Sequence, residues 1–246
     1  MSLFEQLGNR LEGRGTTILY GLAGLIVAGL LVLVFVKWSN RKADEARQAL
    51  GRAMTISRTQ VTASPLPGST EPTFATDKER AQRSIEEFEK VAAKYGEPYK
   101  STSRYFIATH RLVLDRQKGM SELAELGNSG EEEVAPLAKF ALAQAQESDG
   151  KLQEAAQLYS DLAKLNSTVI TPETANLRLA KVYEKLGKKK EASDLLFNIV
   201  DASRKAKGAD DLPLPTSSAA REAAEELQKL DPDRYAQLPP VPSFAG

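Results

Sequence analysis

Beyond residue 40, apolar and small residues recur at three- and four-residue steps, and few positions alternate at period two. That pattern predicts helices throughout and no sheet. Ala46, Ala49, Leu50, Ala53 and Met54 mark a first such helix from Arg41. A loop from Ser64 to Thr76 follows, with Pro65, Pro67, Gly68 and Pro72 breaking the pattern. Asp77 is placed to cap the next helix, which runs to about Tyr95 with Ile85, Phe88, Val91 and Ala92 on one face. Gly96-Glu97-Pro98 ends it. Ser101 to Arg116 reads as a helix, with a short partner at Ser121 to Leu126. Ser129 and Glu132 have capping-box spacing before the helix that follows. Thr171-Pro172-Glu173 opens another with a cap and a proline in the first turn, running to Gly187. Further helices are expected from Lys188 to about Lys205 and, capped by Ser217 or Ser218, up to Leu230. Asp231-Pro232 stops the last one, and residues 231–246 form a Pro-rich extended tail.

Within this run one spacing is written twice between Pro136 and Ile199. Leu142-Ala143-x-x-Gln146 is followed by Gly150, Ala155 and Tyr159; Leu179-Ala180-x-x-Tyr183 is followed by Gly187, Ala192 and Leu196. In both copies Gly precedes an Ala by five residues, and a large residue follows that Ala by four. A first helix ends, Gly supplies the turn, and a second helix packs back with a small residue at the crossing. The spacing resembles the tetratricopeptide (TPR) repeat in degenerate form, with Ala143 and Ala180 where that pattern carries Gly. Ser84, Met120, Ala155 and Ala192 align on the small-residue position at intervals of 36, 35 and 37 residues. The unit at Met120 is the poorest, because Ala124 stands where an aromatic is expected. Residues 39–230 are therefore expected to be a TPR-like α-solenoid of helical hairpins.

The amino-terminal part reads differently. After a polar segment of residues 1–15, Thr16 to Val36 carries no charge, and Lys37-Trp38 closes the run. As a helix these residues span about 30 Å, the thickness of a hydrocarbon core. Leu, Ile, Val and Phe within it favour insertion by roughly 0.3–0.6 kcal/mol each. The run is too long for a signal-peptide core and lacks a small-x-small cleavage site. Residues 16–38 are thus expected to be an uncleaved transmembrane helix, with Tyr20 and Trp38 at the interfaces. Gly24 and Ala28 form one small-x-x-x-small step through which two such helices could touch, so an oligomer stays open. The basic residues after the span outnumber Arg10 and Arg14 before it, which leans the large domain toward the cytoplasm. Basic residues 37 to 58 are also placed to meet anionic lipid heads.

Composition narrows the chemistry. The 33 basic and 33 acidic residues of the 246-residue chain cancel, so no global field argues for nucleic acid. There is no cysteine, which excludes disulfides and thiolate chemistry. His110 is the single histidine and lies mid-helix without metal-ligand spacing. No phosphate-binding, dinucleotide or hydrolase motif is present. Glu131–Glu133 suits a helix amino terminus, and Lys188–Lys190 an exposed corner. No catalytic residue, metal site or cofactor is expected, and the chain reads as a non-enzyme.

What remains is surface. Stacked hairpins line a groove with their first helices, and by register Tyr105, Thr109, Phe140, Gln144, Leu177, Lys181 and Glu184 face it. The layout of a single span closed by Trp38, an alanine-rich helix at Ala43–Ala53, Ala155-x-x-x-Tyr159 and Leu179-Ala180-x-x-Tyr183 resembles the YfgM-like family of bacterial membrane-anchored proteins. That resemblance implies a single-pass inner-membrane protein with its helical domain in the periplasm, partnered by the Sec translocon and periplasmic chaperones. It opposes the charge reading of sidedness. Two functions follow from different classes: an adaptor holding proteins at the membrane, or a structural subunit of a larger membrane complex. An enzyme accessory with a small-molecule pocket is the weaker third.

Overall fold

In a computed structural model of the chain, residues 41–62, 73–165, 167–209 and 211–241 are described. The expected span at 16–38, the polar segment before it and most of the loop at 64–76 lie outside them. Among the described residues no helix is long and apolar enough to cross a membrane. Two compact units, Met1–Arg52 and Ala53–Gly246, divide the chain. Of the first, residues 41–52 are described, and they are helical.

The described residues form helices joined by short turns, and their only β pairing is two isolated bridges. Residues 41–58 are α1. Then follow α2 (Asp77–Lys94), α3 (Tyr99–Leu114), α4 (Arg116–Gly127), α5 (Val134–Ser148), α6 (Leu152–Lys164), α7 (Pro172–Lys185), α8 (Lys189–Lys205), α9 (Ser218–Leu230) and α10 (Pro232–Tyr235). From α2 to α10 each helix packs on its successor, and α3 also touches α5, as α7 touches α9. This is the all-α, TPR-like stack of hairpins: α3–α4, α5–α6 and α7–α8 are the pairs, and α9 adds a further first helix.

The turn inside each repeated hairpin is the same object. After α5, Gly150 takes φ +76°, Gly150 N–H donates to the Glu147 carbonyl, and Lys151 N–H donates to that of Gln146. After α7, Gly187 takes φ +75°, with Gly187 N–H on Glu184 and Lys188 N–H on Tyr183. These paired bonds close a Schellman motif, whose left-handed residue falls to glycine because it has no Cβ to clash. Lys188 lies over the Tyr183 ring, 5.2 Å from its centroid, tying the two ends of the second turn.

Burial follows the alignment of the sequence. Ala143 packs in one core cluster with Ala155, Tyr159 and Leu162, and Ala180 in another with Ala192 and Leu196. Ala155, Tyr159 and Ala192 are wholly buried. The third crossing departs from expectation. A Cβ on Gly119 would stand 2.6 Å from the backbone nitrogen of Leu112, so α3 and α4 approach at Gly119, one residue before Met120. Met120 is buried beside Leu123 and Leu126 as filler. In the preceding unit, Ser84 is buried and bonds back to the Arg80 carbonyl at 2.7 Å, while Phe88 stacks on Phe106 at 4.8 Å.

Several ends differ from the sequence reading. Thr76, not Asp77, caps α2, its hydroxyl accepting from Glu79 N–H. The helix at Ser121–Leu126 starts earlier, at Arg116, because Asp115 accepts from Lys118 N–H as its cap. No capping box forms at Ser129: its hydroxyl donates to the Leu126 carbonyl, and α5 begins at Val134 with no side-chain cap. Gly130 at φ +77° carries the chain between them. Thr171 and Ser217 cap α7 and α9 as expected. The described foot of the proline-rich loop is closed by Phe74, which exchanges backbone bonds with Gln60 and Thr62. The tail is not extended from its start: Asp231 caps the single turn α10 before Leu238.

Ala192→Leu and Ala155→Leu each force a larger side chain into a filled helix crossing, which costs about 1–3 kcal/mol. Urea denaturation of the full chain is expected to show this loss for both. A change smaller than about 0.5 kcal/mol, the range of ordinary surface substitutions, would mean the backbones are not in close contact there.

Candidate binding surface

The first helices α3, α5 and α7 carry the positions named from the sequence. On α3, Tyr105 is half-buried, its ring edge-on to Phe106 at 5.3 Å, and burial pushes its phenol pKa up. Thr109 turns its hydroxyl to the Phe106 carbonyl at 2.9 Å. On α5, Phe140 is half-buried and meets the Tyr159 ring edge-on at 5.6 Å, while Gln144 is exposed. On α7 the three residues separate. Glu184 is exposed, Lys181 is half-buried, and Leu177 is only 4% exposed. The expectation that Leu177 lines an open groove is corrected: it packs into the cluster of Ala219, Ala220 and Ala223. The alanine stripe of α9 lets that helix come close enough to cover it.

Between the first helices the polar residues are joined in pairs. Lys185 of α7 bonds Glu147 of α5 at 2.5 Å, and the Tyr159 hydroxyl donates to the same carboxylate at 3.2 Å. Burial, and then the negative charge of Glu147, push the Tyr159 phenol well above its ordinary pKa. Lys181 of α7 donates to Glu222 of α9, and that contact holds the Glu222 carboxyl below its ordinary pKa. A shallow hollow of about 310 Å³ opens beside these pairs, lined by Lys181, Glu184, Lys185 and Glu226. Lys181 and Glu184 are thus brought together, and Tyr105 and Phe140 sit on neighbouring first helices. Sequence reasoning missed Glu147, Lys185, Glu222 and Glu226. Lys185 follows Lys181 by one helical turn, which was the available signal; the carboxylates are joined to them only through the fold.

His110 lies at the α2–α3 contact, its ring 6.1 Å from that of Phe88. Burial, then the charge of Arg80, lower its pKa. Among the described residues no group of three or more metal-ligating side chains comes together.

No family model matches the chain, and no curated protein matches it. Among solved structures it is similar to the "kinesin light chain nearly identical TPR-like repeats" of Podosopora anserina, in that crystal structure and in that of a single-residue variant. Identity is 17%, the TM-score is 0.51, and the match covers 78% of this chain and 88% of the other. At that identity the likeness bears on fold alone, and the fold is TPR-like.

Two pH dependences follow. A phenol with a raised pKa in the folded state stabilises fully below its ordinary pKa of 10.0 and loses that contribution above it. Tyr159→Phe should therefore flatten the alkaline limb of stability against pH; Tyr105 leaves a residual slope. An unchanged slope above pH 10.0 would show that Tyr159 ionises freely in the fold. His110 runs the other way: with a lowered pKa, its contribution is present above its ordinary 6.5 and is lost as pH falls below it. His110→Phe should remove the part of the stability change seen between about pH 7 and pH 5 that carboxylates do not supply. Thermal unfolding across that range, with the variant matching wild type at every pH, would refute this.

Proposed function

We propose that this chain is a non-enzymatic adaptor, anchored by residues 16–38 and presenting the first-helix face of its TPR-like stack to another protein. The observation that carries the reading is that face itself. Half-exposed aromatics at Tyr105 and Phe140 stand on neighbouring first helices, with exposed Gln144 on α5 and exposed Glu184 on α7. Partially exposed rings beside adaptable polar groups are what protein-binding surfaces carry at their energetic centres. The uncharged run from Thr16 to Val36 supports a membrane anchor. The YfgM-like layout supports placing the stack on the periplasmic side of a bacterial inner membrane, near the Sec translocon and its chaperones. Clients gathered there would be held close to the bilayer with no chemistry done on them.

A photo-crosslinking residue at Gln144 or Glu184, followed by mass spectrometry on native membranes, tests the surface. Both positions are expected to capture the same proteins, whereas Gln157, exposed on α6, captures none of them. Equal capture from all three would refute a specific face. Because the chain has no cysteine, Ser148→Cys labelled by a membrane-impermeant thiol reagent reports sidedness. Labelling before inner-membrane lysis is expected; labelling only afterwards would place the stack in the cytoplasm.

A further inference from the structure

Past α10 the chain folds back on the end of the stack. Gln237 N–H donates to the Arg234 carbonyl and Leu238 N–H to that of Tyr235, both at 3.1 Å. Leu238 then packs against the core cluster that holds Leu227 and Val200. The Pro239 carbonyl accepts from the Arg204 guanidinium. That guanidinium also lies over the Tyr235 ring, 5.6 Å from its centroid, and reaches the Tyr235 hydroxyl at 3.4 Å. Beyond Pro239 the hold weakens. A groove of about 330 Å³ lies open between α8 and α9, lined by Val200, Arg204, Ala220, Arg221, Ala224 and Tyr235. Val241 reaches only its rim and is 69% exposed.

From this geometry we infer that the α8–α9 groove is a docking site for extended Leu-Pro-Pro-Val-type segments, filled in cis and only in part by residues 238–241. The chemistry of the strand matches that of the groove. Pro239 and Pro240 have no N–H, so a strand carrying them presents carbonyl acceptors and needs no acceptor in return. Arg204 offers only donors, and Tyr235 holds it in place. A proline-rich strand turns once in three residues, so the residues at 238 and 241 share an edge. One is seated on the core and the other stands over the open groove. Because Pro residues fix the strand before it binds, little conformational entropy is lost on docking. A tethered strand acts at an effective concentration in the millimolar range, so a competing segment binds only when it displaces the tail. The site is separate from the first-helix face and does not depend on the adaptor reading.

The test uses a fluorescein-labelled peptide of residues 236–243, titrated by anisotropy into the full chain and into the chain lacking residues 238–246. Saturable binding to the shortened chain is expected, with affinity for the intact chain at least about tenfold weaker because the tail competes. Arg204→Gln in the shortened chain should weaken it by a further tenfold or so, the loss of one charged hydrogen bond to a carbonyl. A peptide with Ser in place of Leu238 and Val241 should not bind. Absence of saturation up to about 1 mM, which is the tail's own effective concentration, would overturn the inference. So would equal affinity for both chains, or indifference to Arg204→Gln. If circular dichroism shows the shortened chain unfolded, the full chain carrying Leu238→Ser and Val241→Asp takes its place, with the same outcomes.

Discussion

Two helix backbones can touch only where no side chain larger than a methyl group stands between them, and the hairpins of this protein depend on such points. Ala155 and Ala192 supply it in the two best-matched units, and Gly119 supplies it between α3 and α4. Closeness at that residue sets what lies one turn away. Tyr159 and Leu196 follow the small residue by four positions and fill the wedge where the helices diverge. Tyr159 is a large side chain to bury whole, and its hydroxyl needs an acceptor in a dry place. Glu147, on the helix it packs against, provides it. The crossing thus brings a carboxylate into the interior, and Lys185 from the next hairpin neutralises it. Packing within one hairpin and registration of the next are consequences of the same methyl group.

The same logic explains how the first helices hold one another. Contacts between α5 and α7, and between α7 and α9, begin with apolar packing: Ala143 shares a core cluster with Ala175 and Leu179, and Leu177 shares one with Ala219, Ala220 and Ala223. To this packing Glu147–Lys185 and Lys181–Glu222 add two partly exposed ion pairs, worth little individually in water. Phe140 and Tyr105 stay partly exposed, each with a ring against it on one side: Tyr159 for Phe140 and Phe106 for Tyr105.

Much of this was legible along the chain, for a physical reason. A Gly five residues before an Ala encodes a turn and a crossing within one local segment, so Gly150, Gly187, Ala155 and Ala192 could be placed without knowing the fold. The caps at Thr171 and Ser217 are equally local. What failed was whatever depended on distant partners or on competition. Leu177 reads as surface by register, yet a helix some forty residues on covers it. Met120 occupies the aligned position, but Gly119 beside it makes the closer approach, and only coordinates reveal the one-residue difference. Ser129 has the spacing of a cap, but Gly130 turns the chain so that its hydroxyl meets Leu126 instead. Among the surface positions, Gln144 and Glu184 do face outward, whereas Leu177 does not. An apolar residue on a helix face is ambiguous until its neighbour is known.

After α9 the described chain packs on the stack in a different way from the hairpins before it. Among the described residues no full second helix follows α9 to bury the outer side of α8; the single turn of α10 lies there instead. A turn of four residues offers little apolar area, so directed bonds take over. Asp231 caps α10 and accepts from Ser193 of α8 at 2.7 Å, an arrangement that holds its carboxyl below the usual range. Arg234 pairs with Asp194 at 2.6 Å and lies over Phe197, 4.8 Å from its centroid, covering an aromatic face that another hairpin would otherwise bury. These groups can face water on one side and protein on the other, which a Leu-rich helix could not do. Among the described residues, the position of Asp231-Pro232 therefore marks where apolar stacking on α8 gives way to directed polar contacts.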